Sequence, residues 1–304
     1  MVASFLLLAG LTGTAALAAA ATANCTREFL ANATEAYVQA QTHGTPDAFA
    51  ALFAPNATYA ENDKTTAVHQ GILTVAMRID RTHRYYDTTQ CGAFAEVIVA
   101  SPNATASHTP YLIHTRFLYG RGPAVGVTTV ESVVTKPGDW AFNATGYLHY
   151  DGMEQWPAIP AAARDTRAVV QAAGDAYFDR FDNASVVIPM ASACARLEGG
   201  SYTARGNYSA NTCEGYPSTI KVTNRRYIVD EVYGVVDIFE GFPMLDRSVP
   251  SVAVPDSHLF RVEHGKIRYI HTVSHCINYN CGLNKTTFGR RNLAAVAGPV
   301  QLST

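Results

Sequence analysis

Residues 255–275 read PDSHLFRVEHGKIRYIHTVSH. Two alternating apolar runs flank His264-Gly265, and a two-residue loop with Gly in second place suits a tight primed turn, because Gly takes positive φ without steric cost. The stretch predicts a β-hairpin with a definite register. Glu263 faces Lys266, Val262 faces Ile267, Arg261 faces Arg268, Phe260 faces Tyr269 and His258 faces His271. One face then carries Phe260, Val262, Ile267, Tyr269 and Val273, with His258 and His271 opposed as neighbouring imidazoles whose titrations couple.

The surrounding pattern is helices first and strands last. Upstream of the hairpin, Arg226 to Phe239 alternates as one strand that places Asp230 alone among Ile228, Val232, Val236 and Ile238, a setting that raises a carboxyl pKa if buried. Thr166 to Arg180 reads as an amphipathic helix, and its Asp175-Ala176-Tyr177-Phe178 echoes Glu35-Ala36-Tyr37-Val38 in a helix over Arg27 to Gln41. In the first half, further helices are predicted at Pro46–Phe53 and Ile72–His83. Strands are predicted at Thr58–Glu61, Ala93–Ala100, Tyr111–Tyr119, Val125–Thr135 and Trp140–Tyr150. The order implies an α+β fold of two tandem domains, 24–154 and 166–288, each a curved antiparallel sheet over N-terminal helices. A Pro-containing linker spans 155–165 and a tail 289–304.

Residues 1–23 read as a signal peptide: an apolar run from Phe5 to Leu17, too short to span a bilayer, precedes the cleavage-like Ala21-Thr22-Ala23. Eight N-x-S/T sequons, at Asn24, Asn32, Asn56, Asn103, Asn143, Asn183, Asn207 and Asn284, agree with a secreted, extracellular glycoprotein. The six cysteines are expected to form disulfides, and proximity favours Cys25–Cys91, Cys194–Cys213 and Cys276–Cys281. A net charge of −2 with no basic run argues against nucleic acid, and no second apolar segment suggests a membrane span.

The motif order resembles the nuclear transport factor 2-like cone shared by ketosteroid isomerases, scytalone dehydratase and SnoaL-like polyketide cyclases. Ala36-Tyr37-Val38, His43-Gly44-Thr45-Pro46-Asp47-Ala48, Phe53 to Asn62 and His69-Gln70-Gly71-Ile72 carry the likeness in the first half, and the hairpin carries it in the second. Through PDSHLFRVEHGKIRYIHTV the chain also resembles a group of secreted fungal proteins of unknown function. The isomerase pattern implies an oxyanion-donating tyrosine at Tyr37 or Tyr177 and a second donor at His258. Its general base falls on Asn62 and Gly199, neither of which takes a proton, with Glu61, Asp63 and Glu198 one residue away.

Candidate site residues are therefore Tyr177, His258, His271 and Asp230 in the second half, with Tyr37 and Asp63 as a weaker pair in the first. They fit a cofactor-free lyase, dehydratase, cyclase or isomerase acting on a small hydrophobic or aromatic molecule. The alternatives are a non-catalytic binder of such a molecule or a structural, host-interaction glycoprotein. No metal is expected, since His275 stands about 13 Å along the strand from His271. The chain lacks G-x-S-x-G, H-E-x-x-H, P-loop and Rossmann signatures, so no cofactor is expected either. His149 shares strand parity with the sequon Asn143 and is expected to face outward.

Overall fold

The computed structural model describes residues 25–101, 106, 108–121, 126–204 and 206–281; the leader, three of the sequons and the C-terminal tail lie outside them. Two six-stranded mixed sheets each carry a long helix. The first half contains α1 (Arg27–His43), α2 (Asp47–Ala50), β1 (Phe53–Glu61), β2 (Lys64–Thr65), β3 (Arg81–Asp87), β4 (Gly92–Val99), β5 (Tyr111–Tyr119), β6 (Val127–Thr135) and α3 (Ala144–Asp151). The second contains α4 (Arg167–Asp182), β7 (Met190–Glu198), β8 (Ser201–Tyr202), β9 (Thr223–Asp230), β10 (Val235–Phe242), β11 (Val254–Glu263) and β12 (Lys266–Ser274). The strand orders are β2-β1-β6-β5-β4-β3 and β8-β7-β12-β11-β10-β9, one topology used twice. The architecture is α+β in two tandem cone-like units.

Each long helix starts at a threonine cap: Thr26 accepts from the Phe29 amide and Thr166 from the Val169 amide. The core has three layers. Leu30, Tyr37, Phe49, Phe117 and Val130 pack between α1 and the first sheet. Val170, Tyr177, Phe178, Val236 and Phe260 do the same under α4, where Gly174 permits close approach because a Cβ there would lie 2.8 Å from Ile238. Between them the sheets pack face to face, Tyr85, Phe94, Leu112 and Val133 against Leu197, Ile228, Phe239, Leu259 and Val273. Both faces of a central strand are thus covered, which is why every residue of β4 and of β10 is buried.

The hairpin forms on His264 and Gly265 with φ of +52° and +68°, as a primed turn requires. All three expected disulfides are present. Several expected elements differ. The helix expected over 72–83 is a short 3-10 turn, Ile72–Thr74, followed by β3, and the helix expected over 46–53 stops at Ala50 before the longer strand β1. The strand expected over 140–150 is α3, because the Asn143 side chain caps it by accepting from the Gly146 amide at 3.0 Å. The single strand expected over 226–239 is the hairpin β9–β10. Its turn uses Gly234 at φ +57°, where a Cβ would stand 2.3 Å from the Val262 carbonyl oxygen.

Candidate functional site

Beyond Val262 the hairpin register shifts by one residue, and the consequence reaches both candidate histidines. Arg261 pairs with Tyr269, Phe260 with Ile270, Leu259 with His271 and His258 with Thr272. Unbroken pairing would set Arg261 directly against Arg268, two cations across a ladder; the bulge at Arg268 separates them. The expected His258–His271 pair therefore does not form. The two imidazoles point to opposite faces of the second sheet, His258 toward α4 and His271 into the layer between the sheets.

His271 belongs to a buried polar network that ties the halves together. Its Nδ1 lies 3.0 Å from Glu96 Oε1 and its Nε2 2.8 Å from Glu154 Oε2. Glu96 Oε1 also accepts from Tyr147 at 2.6 Å and stands 3.0 Å from His114 Nε2, while His114 Nδ1 is 2.8 Å from Ser257 Oγ. Burial disfavours charge on both His271 and Glu96, yet each outweighs it for the other. Glu96 and Glu154 hold the imidazole well above its usual range, and His271 and His114 hold the Glu96 carboxyl well below its own. Burial instead depresses His114, against the pull of Glu96. Tyr202 extends the network outward, donating to Glu154 Oε1 at 2.9 Å.

On the other face, His258 Nδ1 lies 2.7 Å from Asp256 Oδ1 and 2.8 Å from Glu240 Oε1, beneath Phe178 and Tyr177. Burial opposes the charged imidazole, but Asp256 and Glu240 hold it well above the ordinary value, and burial pushes the Glu240 carboxyl up. A histidine whose folded pKa is raised contributes stability that is fully present below about pH 6.5 and is lost as pH rises through the folded value. The urea midpoint is accordingly expected to fall from pH 6 toward pH 9, and His258→Asn to flatten that slope. A slope unchanged in the variant would assign it to other groups.

The remaining candidates have structural partners. Tyr37 is buried against Phe49 and Phe117 with its hydroxyl 2.8 Å from Thr115 Oγ1, and burial raises its pKa. Tyr177 receives a hydrogen bond from Arg196 at 2.9 Å and packs on Phe260. Asp230 is buried but not alone: both its oxygens take the Arg27 guanidinium, at 2.9 and 2.7 Å, and it accepts from the amides of Tyr86 and Val232. Asp63 sits exposed in the β1–β2 turn beside Arg226 at 3.2 Å, away from Tyr37. Glu61 is the acid that enters the first cone, where Tyr59 donates to it at 2.5 Å. His149 faces outward as expected, though from a helix.

Two cavities adjoin at Tyr202. One, of about 610 Å³, lies between α3 and the β7–β8 turn, bounded by His149, Tyr150 and Ser201; the other, of about 400 Å³, is bounded by Tyr208, Arg268 and Tyr269. Tyr150 stacks on Tyr202 with ring centres 4.7 Å apart, and the Arg268 guanidinium lies 4.2 Å over the Tyr269 ring. Sequence reasoning missed this place because β7, β8 and α3 were not recognised. The Tyr202 ring gave no periodic signal, since its strand is two residues long.

The family described as a domain of unknown function (DUF8021) matches residues 163–274, α4 through the hairpin. No curated protein matches the chain. Similar solved structures include an NTF2-like protein of unknown function from Shewanella baltica OS155, 9% identical over 35% of this chain and 90% of that one, with a TM-score of 0.26. Another is a putative SnoaL-like polyketide cyclase from Jannaschia sp. CCS1, 14% identical over 45% of this chain and 99% of that one, TM-score 0.24. Among the described residues no helix is long and apolar enough to cross a membrane.

Proposed function

We propose that this is a secreted glycoprotein of two tandem domains that binds a small aromatic molecule bearing an anionic group, in the groove at Tyr202. The adjoining cavities with stacked tyrosines and one guanidinium carry this reading. Aromatic walls supply sequence-independent stacking area, and a cation at one end selects a carboxylate, sulfonate or phenolate. The cone interiors support binding over catalysis, because Tyr37 and Tyr177 are enclosed by Phe49, Phe117, Phe178 and Phe260. Three disulfides, and the exposure of Asn32, Asn56, Asn183 and Asn207, support the secreted, glycosylated state.

The probe is 8-anilinonaphthalene-1-sulfonate, an aromatic anion whose fluorescence rises on leaving water. It is expected to bind the folded protein with a single stoichiometric site. Tyr208→Ala and Arg268→Ala should each weaken it roughly tenfold, a loss of about 1.4 kcal/mol. Tyr208 is exposed, so its removal should leave the unfolding midpoint nearly unchanged. Binding that is absent, or indifferent to both substitutions, would end the assignment of this groove.

A further inference from the structure

We propose that His83 Nε2, Glu96 Oε2 and Asp151 Oδ1 form a zinc-binding site at the edge of the layer between the sheets. His83 and Glu96 are directly opposed across the β3–β4 ladder, and Asp151 is the last residue of α3. The three ligand atoms lie within 4.8 Å of one another. His83 Nε2 stands 2.7 Å from Asp151 Oδ1 and 3.8 Å from Glu96 Oε2. Ligands about 2.0–2.1 Å from a tetrahedral ion stand roughly 3.3 Å apart, so these two separations each differ from that value by about half an ångström.

The hydrogen bonding of Glu96 points the same way independently. Its Oε1 is crowded by Tyr147, His114 and His271, whereas Oε2, on a side chain 1% exposed, has no hydrogen-bond partner and faces His83. A buried, ionised carboxylate oxygen left without a donor costs free energy unless a cation supplies what the protein withholds. At Asp151, Arg81 holds Oδ2 at 2.7 Å and Oδ1 hydrogen-bonds His83 Nε2 at 2.7 Å, a contact that an ion between them would replace. The outer partners thus fix both carboxylates, and that of Glu96 keeps one oxygen free for the ion.

Access agrees. The His83 side chain is 18% exposed, so the site opens to solvent on one side for entry and for a water as fourth ligand. One imidazole and two carboxylates suit zinc better than calcium, which prefers six or more oxygens. The other three-residue cluster, His258 with Glu240 and Asp256, is almost wholly enclosed and has no comparable opening.

The test uses the full secreted chain without a histidine tag, stripped with EDTA and titrated with Zn2+ by calorimetry, and with Co2+ by visible absorption. One equivalent is expected, with Co2+ giving the intense bands of a four-coordinate site. His83→Gln should weaken Zn2+ at least tenfold and abolish those bands, while His69→Ala, at an exposed histidine beside Asp47, should change neither. If His83→Gln folds poorly, Asp151→Asn is read the same way. Absence of stoichiometric Zn2+ binding, affinity unaltered in the folded variant, or Ca2+ binding tighter than Zn2+ would each overturn the site.

Discussion

Glu96→Ala is expected to destabilise the protein by about 3–5 kcal/mol, the cost of breaking a buried charge network by deleting one member. The loss is large because one carboxylate oxygen serves three side chains from three elements: Tyr147 of α3, His114 of β5 and His271 of β12. Without it, the His271 imidazolium keeps only Glu154, Tyr147 loses its acceptor, and a cavity opens between tightly packed sheets. Glu96→Gln separates charge from shape. Its amide oxygen still accepts hydrogen bonds but no longer attracts the cation, so a smaller loss of about 1–3 kcal/mol is expected. Urea unfolding of both variants at pH 7 without added metal measures the difference. An alanine variant as stable as the parent would mean that these contacts contribute nothing net.

The fold was legible because its decisive signals were local. His264-Gly265 between alternating runs names a hairpin; Thr26 and Thr166 mark helix starts; cysteine proximity gives the right pairs. Errors arose where one residue changed parity or where a side chain overruled a pattern. Gly234 turned an apparent strand into a hairpin, and Asn143 capped a helix in a stretch that alternates. The site suffered most from parity. A one-residue bulge at Arg268 moved His271 from the face of His258 to the opposite one, as strand geometry demands. Its true partners, Glu96 and Glu154, lie 175 and 117 residues away in sequence, a separation at which no spacing rule operates. For Asp230 the sequence left burial open; it is buried, and its neutralising arginine stands in the other half.

That arginine is one of a reciprocal pair. Arg27 follows the cap of α1 and reaches Asp230, the last residue of β9; Arg167 follows the cap of α4 and reaches Asp87, the last residue of β3, at 2.6 Å. Each aspartate also accepts a backbone amide from the opposite half, Asp230 from Tyr86 and Asp87 from Val229. A cation in the first turn is unfavourable for the helix itself, so these arginines are explained by the contact between halves. Asp87→Ala and Asp230→Ala are each expected to cost about 2–4 kcal/mol, since each strands a guanidinium and at least one amide. Arg27→Ala and Arg167→Ala should cost less, because the aspartates keep their amide donors and both arginines are partly exposed.

The Asp87→Ala/Asp230→Ala double variant tests whether these contacts hold the halves together or merely brace each one. Both tryptophans report on the contact, Trp140 donating to Glu198 of β7 and Trp156 packing between Tyr85 and Tyr269. In the parent, tryptophan fluorescence and far-ultraviolet circular dichroism should unfold together as one cooperative transition. In the double variant the fluorescence transition is expected at lower urea than the dichroism transition, the sheets outlasting their junction. Coincident transitions with a combined loss below about 1 kcal/mol would show that the apolar layer between the sheets suffices alone, and that the exchanged ion pairs contribute no net stability at the junction.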